Sequence, residues 1–105
     1  MPDTTPQWIY HFGPADRPEL AQNSDAWTED DLRIAQAHSD YLRSAAEAGI
    51  VILAGRAQDG IGPAVVIFEA PTAQDATAFM LADPFVQEGL FSADLHPFRA
   101  AFMRD

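Results

Sequence analysis

The chain contains no cysteine and no lysine. The first absence excludes disulfides, thiolate nucleophiles and cysteine-ligated metals together. The second excludes a side-chain Schiff base. Cations are scarce altogether: six arginines stand against 16 acidic residues, for a net charge of −10. Nucleic-acid binding needs a surplus of cations at phosphates, so no such partner is expected. No apolar run is long enough to span a bilayer, and the opening MPDTTPQWIY has no basic or leader-like apolar stretch. A soluble, cytoplasmic protein without a membrane partner is expected. The G-x-S-x-G, P-loop and G-x-G-x-x-G patterns are missing too, so serine-hydrolase and nucleotide-binding readings have no support.

What is present suits one small domain: 105 residues, 48% of them apolar. The organising stretch is LRIAQAHSDYLRSAAEAGIVILAG, residues 32–55. It reads as an amphipathic helix, a glycine stop and an apolar strand. Thr28 and Asp31 have the spacing of a capping box, and Glu29, Asp30 and Asp31 sit at the positive end of the helix dipole. Ile34, His38, Tyr41, Ala45 and Ala48 recur at helical spacing, with Leu32, Ala35, Leu42 and Ala46 beside them. Gly49 is the expected C-terminal cap.

Around this unit the pattern is regular. Residues 1–6 read as a tail. Residues 7–12 alternate, with Trp8, Tyr10 and Phe12 on one face and Ile9 and His11 on the other. Residues 14–27 read as a long polar loop. Residues 50–54 and 64–68 are apolar throughout and form a hairpin of strands buried on both faces. Thr72 opens a second helix, which Asp83-Pro84 breaks. Residues 90–103 are extended. Their alternation changes phase at His96-Pro97, which suggests a bulge or a sheet-edge crossing.

The order β-α-β-β-α-β predicts an α+β, ferredoxin-like domain over residues 1–105, with a four-stranded antiparallel sheet and two helices on one face. Two helices cover one face only. The apolar residues on the other face predict a homodimer closed sheet to sheet.

His38 can act as general acid or base near neutral pH. Asp83 lies at a helix break, where it can cap the next turn and orient a histidine as a dyad. Each also has a structural reading: His38 as a core histidine bonded to a carbonyl, Asp83 as a cap alone. Arg56 can bind an anionic substrate group. Tyr10 and Tyr41 complete the candidate substrate contacts. His11 and His96 sit on strands and can face solvent. The histidines show no H-x-H or H-x-x-E-H spacing, so no metal is expected. No residue present calls for a cofactor.

His38, Tyr41 and Leu42 (H-x-x-Y-L), A-G-I-V-I-L-A-G after them, D-P-F-V-x-x-G-L from Asp83 and H-P-F from His96 together resemble the YCII-related (YciI-like) proteins. The resemblance implies a dimeric α+β barrel with a site built on a histidine and an aspartate, here His38 and Asp83. It implies lyase or isomerase work, dehydrochlorinase-like, on hydroxylated aromatic or carbonyl compounds. A non-catalytic dimeric module that binds a small molecule is the alternative. Many such proteins carry proline where Arg56 stands and arginine where Ala35 stands; if that arginine binds substrate in them, this chain binds something else or uses Arg56 instead.

Overall fold

A computed structural model describes residues 5–14, 16–21 and 23–104. The expected tail lies outside the described residues over positions 1–4. Strand β1 (Gln7–Pro14) leads through two short 3-10 turns to helix α1 (Glu29–Glu47), then to the hairpin β2 (Val51–Arg56) and β3 (Ala64–Glu69). Helix α2 (Ala73–Ala82), the one-turn helix α3 (Pro84–Gln87) and β4 (Phe91–Phe98) follow. All pairings are antiparallel, in the order β2-β3-β1-β4. This is the ferredoxin-like α+β fold expected, with its helices on one face.

Local chemistry sets the helix ends. The Thr28 hydroxyl accepts the Asp31 N–H at 3.1 Å, and the Asp31 carboxylate accepts the Thr28 N–H at 2.9 Å. The capping box is therefore complete. Gly49 terminates α1 at φ 82°, in the left-handed region where glycine carries no Cβ penalty.

Tyr10, Val66 and Phe68 are buried on the sheet face that meets Ala45, Ala76 and Met80 of the helices. Removing a ring such as Phe68 from this core should cost about 3–5 kcal/mol. Because strand side chains alternate, Ile9, His11, Val65 and Ile67 point to the other face. Leu53, Ile67, Ile9 and His96 make one row across that face, and Leu53 is 53% exposed in the single chain.

Three expectations change. Strand β4 pairs with β1 without a register shift through His96-Pro97. The change of apolar phase arises because Phe91, Ala93 and Leu95 face the helices while Phe98 belongs to the open face. Pro97 is tolerated because β4 is an edge strand. Strand β1 also runs through Gly13 to Pro14 rather than stopping before them. On α1, Leu32 and Ala46 are exposed, so the apolar strip is narrower than its periodicity suggests.

The loop after β1 is not simply polar surface. Leu20 is buried with Ile34 and Leu90, and Ala26, Trp27, Phe85 and Phe91 pack on them as a second small core. Arg17 ties it down: Nη1 donates to Asp31 Oδ1 at 3.0 Å, Nη2 donates to the Ala26 carbonyl at 2.9 Å, and Nη2 also lies 2.8 Å from Asp31 Oδ2 as an ion pair.

Candidate active site

The geometry begins at the helix break. Asp83 has an extended backbone, φ −61° and ψ 124°, and ends α2 while capping α3. Its side chain points into the protein and is 0% exposed. A buried carboxylate needs donors, and this one has three. The Phe85 N–H donates to Oδ1 at 3.0 Å, and Tyr10 Oη donates to Oδ2 at 2.8 Å. His38 Nδ1 lies 2.7 Å from Oδ1.

His38 enters from the inward face of α1, with 16% of its side chain exposed. Its ring stacks on Phe85 at a centroid distance of 3.9 Å and meets the edge of Phe12 at 5.7 Å. With Nδ1 donating to Asp83, Nε2 is left as the acceptor of the neutral ring. Among the described residues Nε2 has no protein partner.

His38 lines a cavity of about 890 Å³ between α1, the sheet and the loop after β1. The size suits a small organic ligand. Phe12, Trp27, Phe85 and Phe91 supply aromatic walls, and Arg43 and Arg56 line it as well. Among the described residues no aspartate or glutamate lines it, although the chain carries 16. Arg43 pairs with Asp40 at 3.2 Å, whereas Arg56 has no carboxylate within 4.0 Å among the described residues. The cavity is thus a cationic, aromatic recess in an acidic protein. No group of three or more histidine, aspartate or glutamate side chains is placed to hold a metal, among the described residues.

The two tyrosines do not line this cavity. Tyr10 is fully buried beneath Asp83 and does not line the cavity. Burial first, then the Asp83 charge and hydrogen bond, push its hydroxyl pKa well above the usual value. Tyr41 donates to the Phe79 carbonyl at 2.8 Å and lines a separate, more open depression. Its hydroxyl is pushed up to about 12, mainly by burial.

Sequence reasoning missed Arg43, Trp27 and Phe85 as cavity walls. Phe85 directly follows Asp83-Pro84, which was a visible signal; Arg43, five residues past His38, lies about 140° round the helix from it, so its spacing gave none. Nothing local pointed to Tyr10 as the support of Asp83, since 73 residues separate them.

Among solved structures, the chain resembles the 5-chloro-2-hydroxyhydroquinone dehydrochlorinase TftG from Burkholderia phenoliruptrix AC1100, in complex with 2,5-dihydroxybenzoquinone. The TM-score is 0.62 at 20% identity, covering 89% of this chain and 93% of that one. At this identity the likeness speaks for the fold. No curated protein sequence matches the chain. The YCII-related domain matches residues 17–99, well over half of the length, and the chain belongs to the YCII-related family.

Proposed function

We propose that the protein is a lyase- or isomerase-type enzyme that moves a proton on a small hydroxylated aromatic or carbonyl compound. His38 is the proton carrier and Asp83 its positioning residue. One observation carries this reading: a histidine held through Nδ1 by a buried carboxylate, with Nε2 unpaired among the described residues, on the wall of a cavity.

In the proposed step, Nε2 takes a hydroxyl proton from the substrate. The O–H bonding pair becomes part of a new carbonyl. The proton then returns to a ring carbon, which is isomerisation; where that carbon bears a halide, loss of a second hydroxyl proton forms another carbonyl and the halide departs as an anion with its bonding pair, which is elimination. Asp83 fixes the tautomer that presents a lone pair at Nε2 and faces the imidazolium once it forms. Arg56 neutralises a phenolate or carboxylate group on the substrate. The dehydrochlorinase activity of the structural neighbour supports this class of reaction.

The test is turnover of 5-chloro-2-hydroxyhydroquinone and related halogenated hydroxyaromatics, read as halide release, by the parent chain and His38→Ala. Turnover by the parent that is lost in a variant of near-native stability supports the reading. A variant that loses thermal stability but retains turnover overturns it.

We further propose that a second copy covers the open sheet face. Leu53, Ile67, Ile9 and Phe98 leave an apolar surface there that the helices do not reach. A monomer by light scattering at micromolar concentration would contradict this.

A further inference from the structure

The helix-covered face of the sheet loses side-chain volume toward the β2–β3 turn. Rows of side chains cross it from β1 through β3 to β2. Trp8, Phe68 and Val51 form one row, and Tyr10, Val66 and Ala54 the next. Arg56 pairs with Ala64. Continuing the β1–β3 register one residue past His11 and Val65 brings Phe12 to the other side of Ala64. The last row is therefore Phe12, Ala64 and Arg56. Along β3 the middle residue shrinks from Phe68 to Val66 to Ala64. The first two are 0% and 1% exposed and fill the core. Ala64 is too short to do so, and all three residues of its row line the recess. This face carries the helices, so a second copy on the open face leaves the row free.

We propose that the substrate lies along this row, with one aromatic ring over Ala64, its reacting hydroxyl at His38 and a carboxylate on Arg56. The substrate class is then a hydroxyaryl carboxylate whose two groups stand across the ring from each other. This rests on the proton-transfer reading of the recess. The His38 ring meets the edge of Phe12 at 5.7 Å, so the hydroxyl end lies above β1. Arg56 stands two strands away, about 9.5 Å at the usual strand spacing. That separation suits groups on opposite sides of a ring better than groups on neighbouring carbons.

Each position in the row has its own task. Phe12 gives an aromatic wall at the hydroxyl end. Ala64 sets the depth of the slot, because a larger side chain there would take the place of the ring. Arg56 supplies the charge. Of the two arginines that line the recess, Arg43 pairs with Asp40 at 3.2 Å, whereas Arg56 pairs with no carboxylate among the described residues. A guanidinium holds a carboxylate through charge-assisted hydrogen bonds, which are stronger than neutral ones. Only the strand register reveals the row, since its members lie on three strands.

The test is equilibrium binding of three probes to the full chain by calorimetry: para-hydroxybenzoate, ortho-hydroxybenzoate and phenol. The para isomer binds tightest, by about tenfold or more over the other two. Arg56→Gln removes that advantage and leaves phenol binding unchanged; Arg43→Gln keeps it. Ala64→Ile weakens all three probes by about tenfold or more. A β-branched residue suits a strand, so this variant melts near the parent temperature, and Ala64→Val serves if it does not. The proposal is overturned if the para isomer fails to bind or the ortho isomer equals it. It is also overturned if the advantage survives Arg56→Gln, or if added volume at position 64 changes nothing. His38→Ala retains the para preference, because Arg56 holds the far end. Absence of halide release with this binding pattern intact would sink the reaction alone; halide release without the pattern would sink the substrate class alone.

Discussion

Asp83 Oδ1 receives His38 Nδ1 at 2.7 Å while the same residue starts helix α3. One carboxylate therefore sets both a backbone turn and the orientation of an imidazole. Asp83→Asn preserves the size of the group but offers an amide N–H toward groups that themselves donate. At least one of the three donors loses its acceptor, which should cost about 1–3 kcal/mol of stability. Turnover should fall further, by about 10²- to 10⁴-fold, because the imidazole loses its tautomer control. Urea unfolding and halide release, measured on the same preparation, separate the two effects.

Tyr10→Phe removes the donor to Asp83 Oδ2 and leaves that oxygen buried without a partner. A destabilisation of about 1–3 kcal/mol is expected by chemical denaturation. The parent should show no tyrosinate absorbance at pH 10, where tyrosine in an unfolded chain is half ionised. Both tyrosines have raised pKa values in the folded state, Tyr41 at about 12. The folded state then holds protons that the unfolded state releases. The stability from these groups is complete below about pH 10 and declines as pH rises through the folded values. Tyrosinate absorbance that rises at pH 10 while the fold stays intact would refute the burial argument.

The helix starts, the hairpin and the Asp83-Pro84 break were legible in the sequence because each is decided within four or five residues. Thr28 and Asp31 show this best. The burial of Leu20 and Trp27 was not legible, because their neighbours are polar and their partners Ile34, Leu90 and Phe91 lie far along the chain. Tyr10 looked like an ordinary inward strand residue; its hydroxyl gained a role only when β1 passed beneath α3. The apolar change at His96-Pro97 was visible and misread, since two faces of one regular strand resemble a bulge when partner strands are unknown.

Arg17 should govern how firmly the loop after β1 is held. Arg17→Ala removes one hydrogen bond and an ion-pair contact to Asp31, and one hydrogen bond to Ala26. Faster backbone hydrogen exchange over residues 16–28 is expected, with β1 and β3 unchanged. The Arg17 hydrogen bond, helped by the Thr28 N–H, holds the Asp31 carboxyl below its usual range. The stability it adds is therefore present above the unfolded carboxylate range and is lost as pH falls through the lower folded value. In Arg17→Ala that loss should be smaller between about pH 6 and pH 3. Equal acid sensitivity in both proteins would refute the assignment.

Arg56→Gln should leave stability within about 0.5 kcal/mol of the parent, because the side chain is exposed and pairs with no carboxylate among the described residues. Its effect should appear as a raised KM for anionic substrates, with little change for neutral analogues. A uniform loss across both substrate types would argue against an anion contact.

Leu53→Asp tests the open face. Leu53 lies at the β2 edge of the apolar row, and a charge there should shift the chain toward monomer in light scattering. An unchanged oligomeric state would place the interface elsewhere.

Phe85 supports His38 from below and also packs against Trp27 and Phe91 in the second core. That double duty limits which walls of the recess can drift without penalty. Trimming Phe85 or Trp27 to admit a larger ligand would loosen the loop and the His38 ring together. The β2–β3 turn, with Arg56 and the exposed Ile61, carries no such burden. New substrate preferences in this scaffold should therefore arise by changes at the hairpin tip, with the aromatic floor held fixed.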